Sequence, residues 1–300
     1  MKLAAIDIGS NAVRLQITKV LEYEEQVTFK KLEYVRFPLR LGHDVFTTGR
    51  IGEYNKERFY KLMTAYKNLI DLYEVDSFYG CATSAMRESE NGATIIQDVK
   101  DGLGLEIKII DGDEEADLIN KVVGFSLGND DYLHVDVGGG STELMIYQSK
   151  KKILSRSFKL GSVRRLEHSD QPEVWEEMKQ WIKMNVRNRY EKIVAIGTGG
   201  NINKLFELSL SQKVKEMSLD LLVKTQKDLM SMTQEELLNK LQLNPDRADV
   251  IIPASDIYIE VMRCAGTEKI LVPDVGLKDG INYHMYEKAH PEGDKVFVKN

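Results

Sequence analysis

The fold is read from Asp136-Val137-Gly138-Gly139-Gly140-Ser141-Thr142-Glu143, which lies between the apolar runs 132–135 and 144–147. That order predicts strand, glycine turn, strand, with one carboxylate closing the first strand and a second opening the next. Three consecutive glycines let the backbone approach a ligand closely and adopt conformations closed to other residues. Successive N–H groups in such a turn form a concave nest for phosphate oxygens. Ser141 and Thr142 add hydroxyl donors. Asp136 and Glu143 supply the oxygen ligands that a hard cation such as magnesium takes. Alone, the stretch also fits a plain tight hairpin.

A second copy narrows the reading. Residues 3–17 read LAAIDIGSNAVRLQI and residues 132–146 read YLHVDVGGGSTELMI. Aligned without a gap, Asp7 falls on Asp136, Gly9 on Gly138, Asn11 on Gly140, Ala12 on Ser141 and Arg14 on Glu143. The apolar Leu15 and Ile17 fall on Leu144 and Ile146. A repeat with so long a period means two related domains rather than a solenoid. Two such hairpins facing one another would clamp a phosphate and its metal in a cleft between domains, where small-molecule sites commonly lie. Gly9, Ser10 and Asn11 are then phosphate-binding candidates beside Gly138, Gly139, Gly140 and Ser141, and Asp7 is a metal candidate beside Asp136 and Glu143.

Three hundred residues suit two domains, and 42% hydrophobic with 29% charged content is that of a soluble globular protein. No apolar run approaches membrane-spanning length, and the N-terminus reads as a strand rather than a signal peptide. Cys81 and Cys264 lack metal-ligand spacing and read as reduced thiols, which predicts a cytoplasmic protein. His43, His134, His168, His284 and His290 are scattered, with no pair at metal-ligand spacing. Net charge is −6, but it is uneven: residues 126–213 carry 14 basic and 11 acidic side chains, against 16 and 21 in residues 1–125. Lys150, Lys151, Lys152, Arg156, Lys159, Arg164 and Arg165 occur with no acid among them, and a local basic surface can attract a polyanion.

Along the chain, residues 2–9 and 12–20 predict the first hairpin and 25–37 a third strand. A loop holding Thr47, Thr48 and Gly49 precedes a helix at 52–72. A strand at 75–81 leads into Ala82-Thr83-Ser84-Ala85-Met86-Arg87, and loops leaving strand C-termini in open α/β sheets are where ligands bind. A helix at 92–100 and a strand at 105–110 precede the acidic run Asp111–Asp117. Acids in a first helical turn ordinarily complement the helix dipole. Residues 124–131 form the hinge, giving domains 1–125 and 126–300, with the last stretch, about 283–300, packing back on the first domain. In the second, 161–164 are expected to bring backbone donors and a charge to the cleft. A helix at 172–189 sets Lys179, Lys183 and Arg187 on one face. The strand 192–196 ends at Gly197-Thr198-Gly199-Gly200-Asn201 before a helix, and a helix N-terminus presents unpaired N–H groups to anions. Gly199, Gly200 and Asn201 therefore join the phosphate-binding candidates. No Lys-Ser or Lys-Thr pair follows, so this is no Walker loop. Residues from about 290 onward read as a loose tail.

Together these motifs resemble the exopolyphosphatase/guanosine pentaphosphate phosphohydrolase (Ppx/GppA) family of the acetate kinase, sugar kinase, Hsp70 and actin (ASKHA) superfamily. The resemblance rests on DIGSN at 7–11, PLRLG at 38–42, ATSAMRESENG at 82–92, DGDEEADLI at 111–119 and DVGGGSTEL at 136–144. LGSVR at 160–164, GTGGN at 197–201, RADVIIPA at 247–254 and DVGLKDG at 274–280 follow in the same order. It implies an α/β fold: two ribonuclease H-like, actin-like ATPase domains, each a mixed sheet flanked by helices, with a cleft between them.

The resemblance also implies roles. Arg87 contacts phosphate in the active site, and Glu115, the second of the paired glutamates, is the base that orients the attacking water. Magnesium, or manganese in its place, is the implied cofactor. The implied reaction is hydrolytic release of orthophosphate from inorganic polyphosphate, or alternatively from guanosine pentaphosphate; the basic middle third favours the polymer. In nucleotide-binding relatives the 197–201 region holds base or ribose, and here it suits a further phosphate. Nucleic-acid and membrane partners are not expected, and a homodimer is. Long family members carry an added C-terminal helical domain, which this chain is expected to lack. A kinase of the same superfamily would lack the paired glutamates 114–115, and a non-enzymatic sensor of polyphosphate or of an alarmone nucleotide would not need a water-orienting acid.

Overall fold

A computed structural model describes residues 1–24, 26–209 and 215–291, together with the backbone of 296–297. The chain forms two compact units: residues 1–125 with those from 276 onward, and residues 126–275. The first begins with β1 (Lys2–Ile8), β2 (Val13–Tyr23), β3 (Gln26–Phe37), α1 (Leu41–Thr48) and α2 (Glu53–Leu72). It continues through β4 (Ser77–Ala82), α3 (Ser84–Glu88), α4 (Gly92–Leu103), β5 (Ile107–Ile109) and α5 (Gly112–Val123). The sheet order is β3-β2-β1-β4-β5, with Val296–Phe297 as a parallel edge strand on β3. β1, β2 and β3 are antiparallel neighbours, while β4 and β5 run parallel to β1. β1 is central and buried on both faces, which is why its sequence is a continuous apolar run rather than an alternation. Phe59, Met63, Tyr66 and Ile70 bury one face of α2, and the Tyr66 hydroxyl donates to Val13 O at 3.1 Å.

The second unit repeats the plan. Its first elements are β6 (Tyr132–Val137), β7 (Thr142–Gln148), β8 (Lys151–Phe158), α6 (Ser162–Leu166), α7 (Pro172–Ile182), β9 (Val194–Thr198) and α8 (Gly200–Leu208). Then come β10 (Glu216–Ser218), α9 (Leu219–Met230), α10 (Gln234–Asn239), α11 (Pro245–Ala248), α12 (Ile251–Ala265) and β11 (Lys269–Leu271). The order β8-β7-β6-β9-β11 matches that of the first sheet, with the same strand directions, and β10 is added at the far edge. The duplication reaches irregular features: the register shift at Ile17/Thr18 recurs at Ile146/Tyr147, on aligned residues. These are the two mixed sheets flanked by helices that the resemblance implied.

Three details depart from the sequence reading. Thr47 and Thr48 lie in α1 rather than in a loop; the helix docks where Gly42 N–H donates to Ser10 O at 2.7 Å, and Gly49, at φ 80°, ends it. The helix expected over 172–189 is regular only to Ile182 and continues as a π turn over Lys183–Arg187. The last helix, α13 (Leu277–Ala289), packs on β1, β4 and α5 of the first unit, so residues 276–282 leave the expected domain 126–300. Much of the expected tail, 292–295 and 298–300, lies outside the described residues.

α13 is held by polar contacts that neighbouring residues in sequence do not announce. Gln16 Nε2 donates to Asp279 Oδ1 at 3.1 Å, and the buried Asn282 Nδ2 donates to Thr18 Oγ1 at 3.2 Å. Gly280 is packed so closely on α5 that a Cβ would lie 2.1 Å from Leu118 O. Gly280→Ala should therefore destabilise the protein by about 1–3 kcal/mol through overpacking. Urea unfolding measures it, and an unchanged midpoint would mean that α13 has room the structure denies.

Candidate active site

In the second unit, the turn between β6 and β7 is gripped from behind. Ser162 N–H donates to Gly138 O at 3.0 Å. Gly139 O accepts from Val163 N–H at 2.8 Å and Arg164 N–H at 3.0 Å. Arg164 Nε donates to Gly140 O at 2.9 Å. A trans peptide is planar and its C=O and N–H point in opposite directions. With these three carbonyls held toward α6, the N–H groups of Gly139, Gly140 and Ser141 turn the other way. This is the nest expected from the three glycines, built by a partner segment rather than by the glycines alone. Residues 161–164 were expected to present donors to a ligand; instead they hold the corner, and the buried Arg164 reaches its back.

The corner leaves little room for a side chain at its glycine. At Gly138 a Cβ would lie 3.2 Å from Ser141 O, and at Gly9 it would lie 3.2 Å from Ala12 O, the aligned atom. The same hydrogen bond closes both turns, from Gly9 N–H to Ala12 O at 3.2 Å and from Gly138 N–H to Ser141 O at 2.9 Å. In the first unit, Gly42 N–H takes Ser10 O and Arg40 N–H takes Asn11 O at 2.9 Å, which turns the N–H groups of Asn11 and Ala12 outward. Ser10 Oγ and Ser84 Oγ share a buried hydrogen bond of 2.9 Å that ties this corner to α3.

The side chains on the two corners differ. Asp136 and Glu143 are register partners on β6 and β7, and the buried Glu143 accepts from Ser157 Oγ at 2.8 Å. The aligned pair in the first unit is Asp7 and Arg14, joined by an ion pair of 2.8 Å. Burial opposes the Arg14 charge, but Asp7 and Tyr34 outweigh it and the guanidinium pKa is raised. Arg36 is the register partner of Arg14, as Ser157 is of Glu143. One row therefore reads Asp7–Arg14–Arg36 and the other Asp136–Glu143–Ser157. Asp7 does not share the carboxylate pairing expected of a metal candidate, because a guanidinium neutralises it. Two hard-oxygen carboxylates on adjacent strands fit a magnesium ion at Asp136 and Glu143. No group of three or more His, Cys, Asp or Glu among the described residues could hold a metal by itself, so water and phosphate oxygens would complete its shell.

The remaining candidates of the first unit gather at the C-terminal ends of its parallel strands. Thr83 N–H extends the ladder to Ile8 O at 3.0 Å, and Ile110 N–H extends it to Ala82 O at 3.0 Å. Arg87, half-buried at the end of α3, donates from Nη1 to Ile110 O at 2.6 Å, which fixes its fork beside the start of α5. The acidic run there is divided by partner. Asp111 caps α5 by accepting from Glu114 N–H at 2.8 Å, and the Glu114 carboxylate pairs with Lys108. Glu115 is half-buried. Burial pushes the Cys81 thiol up, and the carboxylates of Asp7, Glu115 and Glu114 add to the shift. Cys81 is the register partner of Asp7, so Glu115 acts on the sheet end that carries Asp7.

At the end of β9, Gly199 has φ 104°, a conformation that favours glycine. A Cβ there would lie 3.1 Å from Asp136 Oδ1, so this turn passes directly beside the acid. α8 begins at Gly200, and Asn203 N–H is the first to bond back, to Gly199 O at 3.3 Å, which leaves the N–H groups of Gly200, Asn201 and Ile202 without a helical acceptor. Arg247 donates to Gly200 O, which gives the RADVIIPA segment a place at this turn. A cavity of about 310 Å³ opens here, lined among others by Gly200, Asn203, Lys204, Asn244 and Arg247. Sequence reasoning missed Arg14 as a charged member of the first corner, although the alignment already placed it at the position equivalent to Glu143.

Comparison with known proteins bears on this geometry. The family model described as "Ppx/GppA phosphatase family" matches residues 20–289. A bifunctional 3-dehydroquinate synthase/phosphatase of Fusobacterium nucleatum is 31% identical over 90% of this chain. Exopolyphosphatase 2 of Mycobacterium tuberculosis is 28% identical over 93% of this chain and 97% of its own length. A guanosine-5'-triphosphate,3'-diphosphate pyrophosphatase of Photobacterium profundum is 27% identical over 95% of this chain. The chain spans 44% of the Fusobacterium protein and 59% of the Photobacterium one. Among solved structures, the Aquifex aeolicus member of the Ppx/GppA family superposes with a TM-score of 0.75 at 25% identity, covering 96% of this chain and 98% of its own. An exopolyphosphatase from Cytophaga hutchinsonii gives 0.82 at 23% identity, covering 96% and 98%, and supports the fold.

Gly161 gives the nest a direct test. A Cβ there would lie 2.4 Å from Gly139 O and 2.5 Å from Gly140 N, both backbone atoms. Gly161→Ala should displace the Gly139–Gly140 peptide and weaken binding of tripolyphosphate by about tenfold, the worth of one charge-assisted hydrogen bond. Calorimetry reads it, and wild-type affinity would remove these N–H groups from the phosphate site.

Proposed function

The chain belongs to the Ppx/GppA phosphatase family, and from that premise we propose that it is an exopolyphosphatase releasing orthophosphate from the end of inorganic polyphosphate. The observation that carries this reading is the turning of the Gly139, Gly140 and Ser141 N–H groups to one side by captured carbonyls. Phosphoryl transfer asks little covalent chemistry of a protein; positioning and charge neutralisation supply most of the rate.

In this reading the outward N–H groups at each corner suit non-bridging phosphate oxygens. Arg87, its fork oriented by Ile110 O, suits phosphate oxygens as a charged donor. Glu115 accepts a hydrogen bond from water and takes its proton as the water oxygen bonds to the terminal phosphorus. The bridging P–O bond breaks, its electron pair stays on the departing chain, and the products are orthophosphate and a polymer one unit shorter. Asp136 and Glu143 are the residues that would hold magnesium, or manganese in its place, and the ion would add neutralisation of phosphate charge. The two free thiols, Cys81 and Cys264, fit a reducing, cytoplasmic setting. No helix of the described residues is long and apolar enough to cross a membrane.

The near end-to-end match to exopolyphosphatase 2 supports the polymer as substrate. Guanosine pentaphosphate is the second reading, favoured by the cavity beside Gly200 and Arg247, whose polar lining suits a nucleoside. Phosphate release from long polyphosphate and from guanosine pentaphosphate, measured side by side with and without magnesium, separates the two. The polymer should be cleaved faster, and only with the ion; a preference for the nucleotide would reverse the assignment. Glu115→Gln should keep substrate affinity while turnover falls by about a hundredfold or more. Near-normal turnover in that variant would take Glu115 out of the reaction.

A further inference from the structure

We propose that Tyr258 is a positioning residue for the acidic corner: its hydroxyl is a wedge that opens β6 from β9 and sets where Asp136 emerges. The inference rests on reading Asp136 and Glu143 as the cation-holding pair. The parallel ladder between β6 and β9 runs from Tyr132 opposite Val194 to Asp136 opposite Thr198 and stops. One residue further, Tyr258 of α12 places its phenol oxygen between the strands. It donates to Thr198 O at 2.5 Å and accepts from Val137 N–H at 3.3 Å. A phenol has one proton, and here it goes to Thr198, so toward Val137 the oxygen can only accept. Tyr258 has no exposed surface.

The first unit supplies an internal control. Among its described contacts no tyrosine enters between the strands, and its ladder continues one pair further, through Ile8 opposite Ala82, with Thr83 donating to Ile8 O from its N–H at 3.0 Å and from its hydroxyl at 3.4 Å. The corner whose ladder closes is the one where Asp7 is matched by Arg14. The corner whose ladder is opened is the one that sets two carboxylates side by side. Beyond the wedge, Gly199 swings past Asp136 Oδ1 in its φ 104° conformation. A second buried group holds the same residue from the other face of the sheet, for His134 Nε2 lies 2.8 Å from Thr198 Oγ1. Thr198 is thus fixed at its carbonyl by Tyr258 and at its hydroxyl by His134. Groups that orient metal-binding carboxylates without touching the ion act through geometry.

Tyr258→Phe keeps the ring and removes only the oxygen. Manganese binding to the substrate-free full-length variant, followed by loss of the free-ion resonance signal, should weaken by about tenfold. At saturating ion, kcat for phosphate release should fall while KM for polyphosphate stays within twofold. Wild-type manganese affinity with a lowered melting temperature would show core packing alone and overturn the proposal. Should the variant not fold, Thr198→Val, which cuts the His134 contact and leaves the wedge, must also weaken manganese binding; unchanged affinity there overturns it equally. Asp136→Asn is run alongside. If that substitution leaves manganese affinity unaltered, the assignment of the ion to Asp136 and Glu143 fails, and it fails separately from the wedge.

Discussion

The capture of corner carbonyls by a following short helix is the constraint on which the proposed chemistry depends. Glycine makes the turn between β6 and β7 sterically open, but openness by itself leaves the peptide planes free to rotate. Contacts from Ser162, Val163 and Arg164 remove that freedom by tying three carbonyls to one side. The outward N–H groups are then oriented before any anion arrives, so little reorganisation is needed on binding. Arg164 matters here through its Nε and its backbone N–H.

The duplicated sheets show how one backbone plan serves two electrostatic tasks. Strand order, turn closure and even the register shift are shared between the units, so the scaffold around each corner is common to both. The differences lie in the row of side chains across the strand ends. Arginine opposite the first aspartate makes that corner neutral to cationic, which suits phosphate oxygens. Glutamate opposite the second sets two carboxylates on adjacent strands, which suits a cation. Like charges set directly opposite on adjacent strands are unfavourable; the Ser157 hydroxyl offsets part of this at Glu143, and a cation held there would offset more. The polar anchors from α12 and β6 belong to the same economy of positions, because a carboxylate pair is useful only at a set spacing.

Several site features were legible along the chain because the responsible residues adjoin one another. The Asp-x-Gly corners could be recognised twice, since a Cβ at Gly9 or Gly138 would crowd an oxygen three residues away. The apolar β1 and the spacing of Phe59, Met63, Tyr66 and Ile70 announced a buried strand and an amphipathic helix. The acid run at 111–115 was visible as a helix start, yet its division into a cap, an ion-paired glutamate and Glu115 required the position of Lys108 and Cys81. Thr47 and Thr48 were misread as loop because the helix they end is anchored by Ser10, some thirty residues earlier.

What the sequence determined by itself is the duplication, the glycine corners and the alternation of strands and helices, all of which follow from steric and periodic rules acting over a few neighbouring residues. Tertiary structure alone decided which distant groups complete them: α13 returning to the first unit, Arg14 closing on Asp7, Arg164 reaching the back of the nest, and Tyr258 entering between β6 and β9. A buried polar atom must find a partner wherever packing brings one, and a single sequence does not record which of many donors and acceptors that will be.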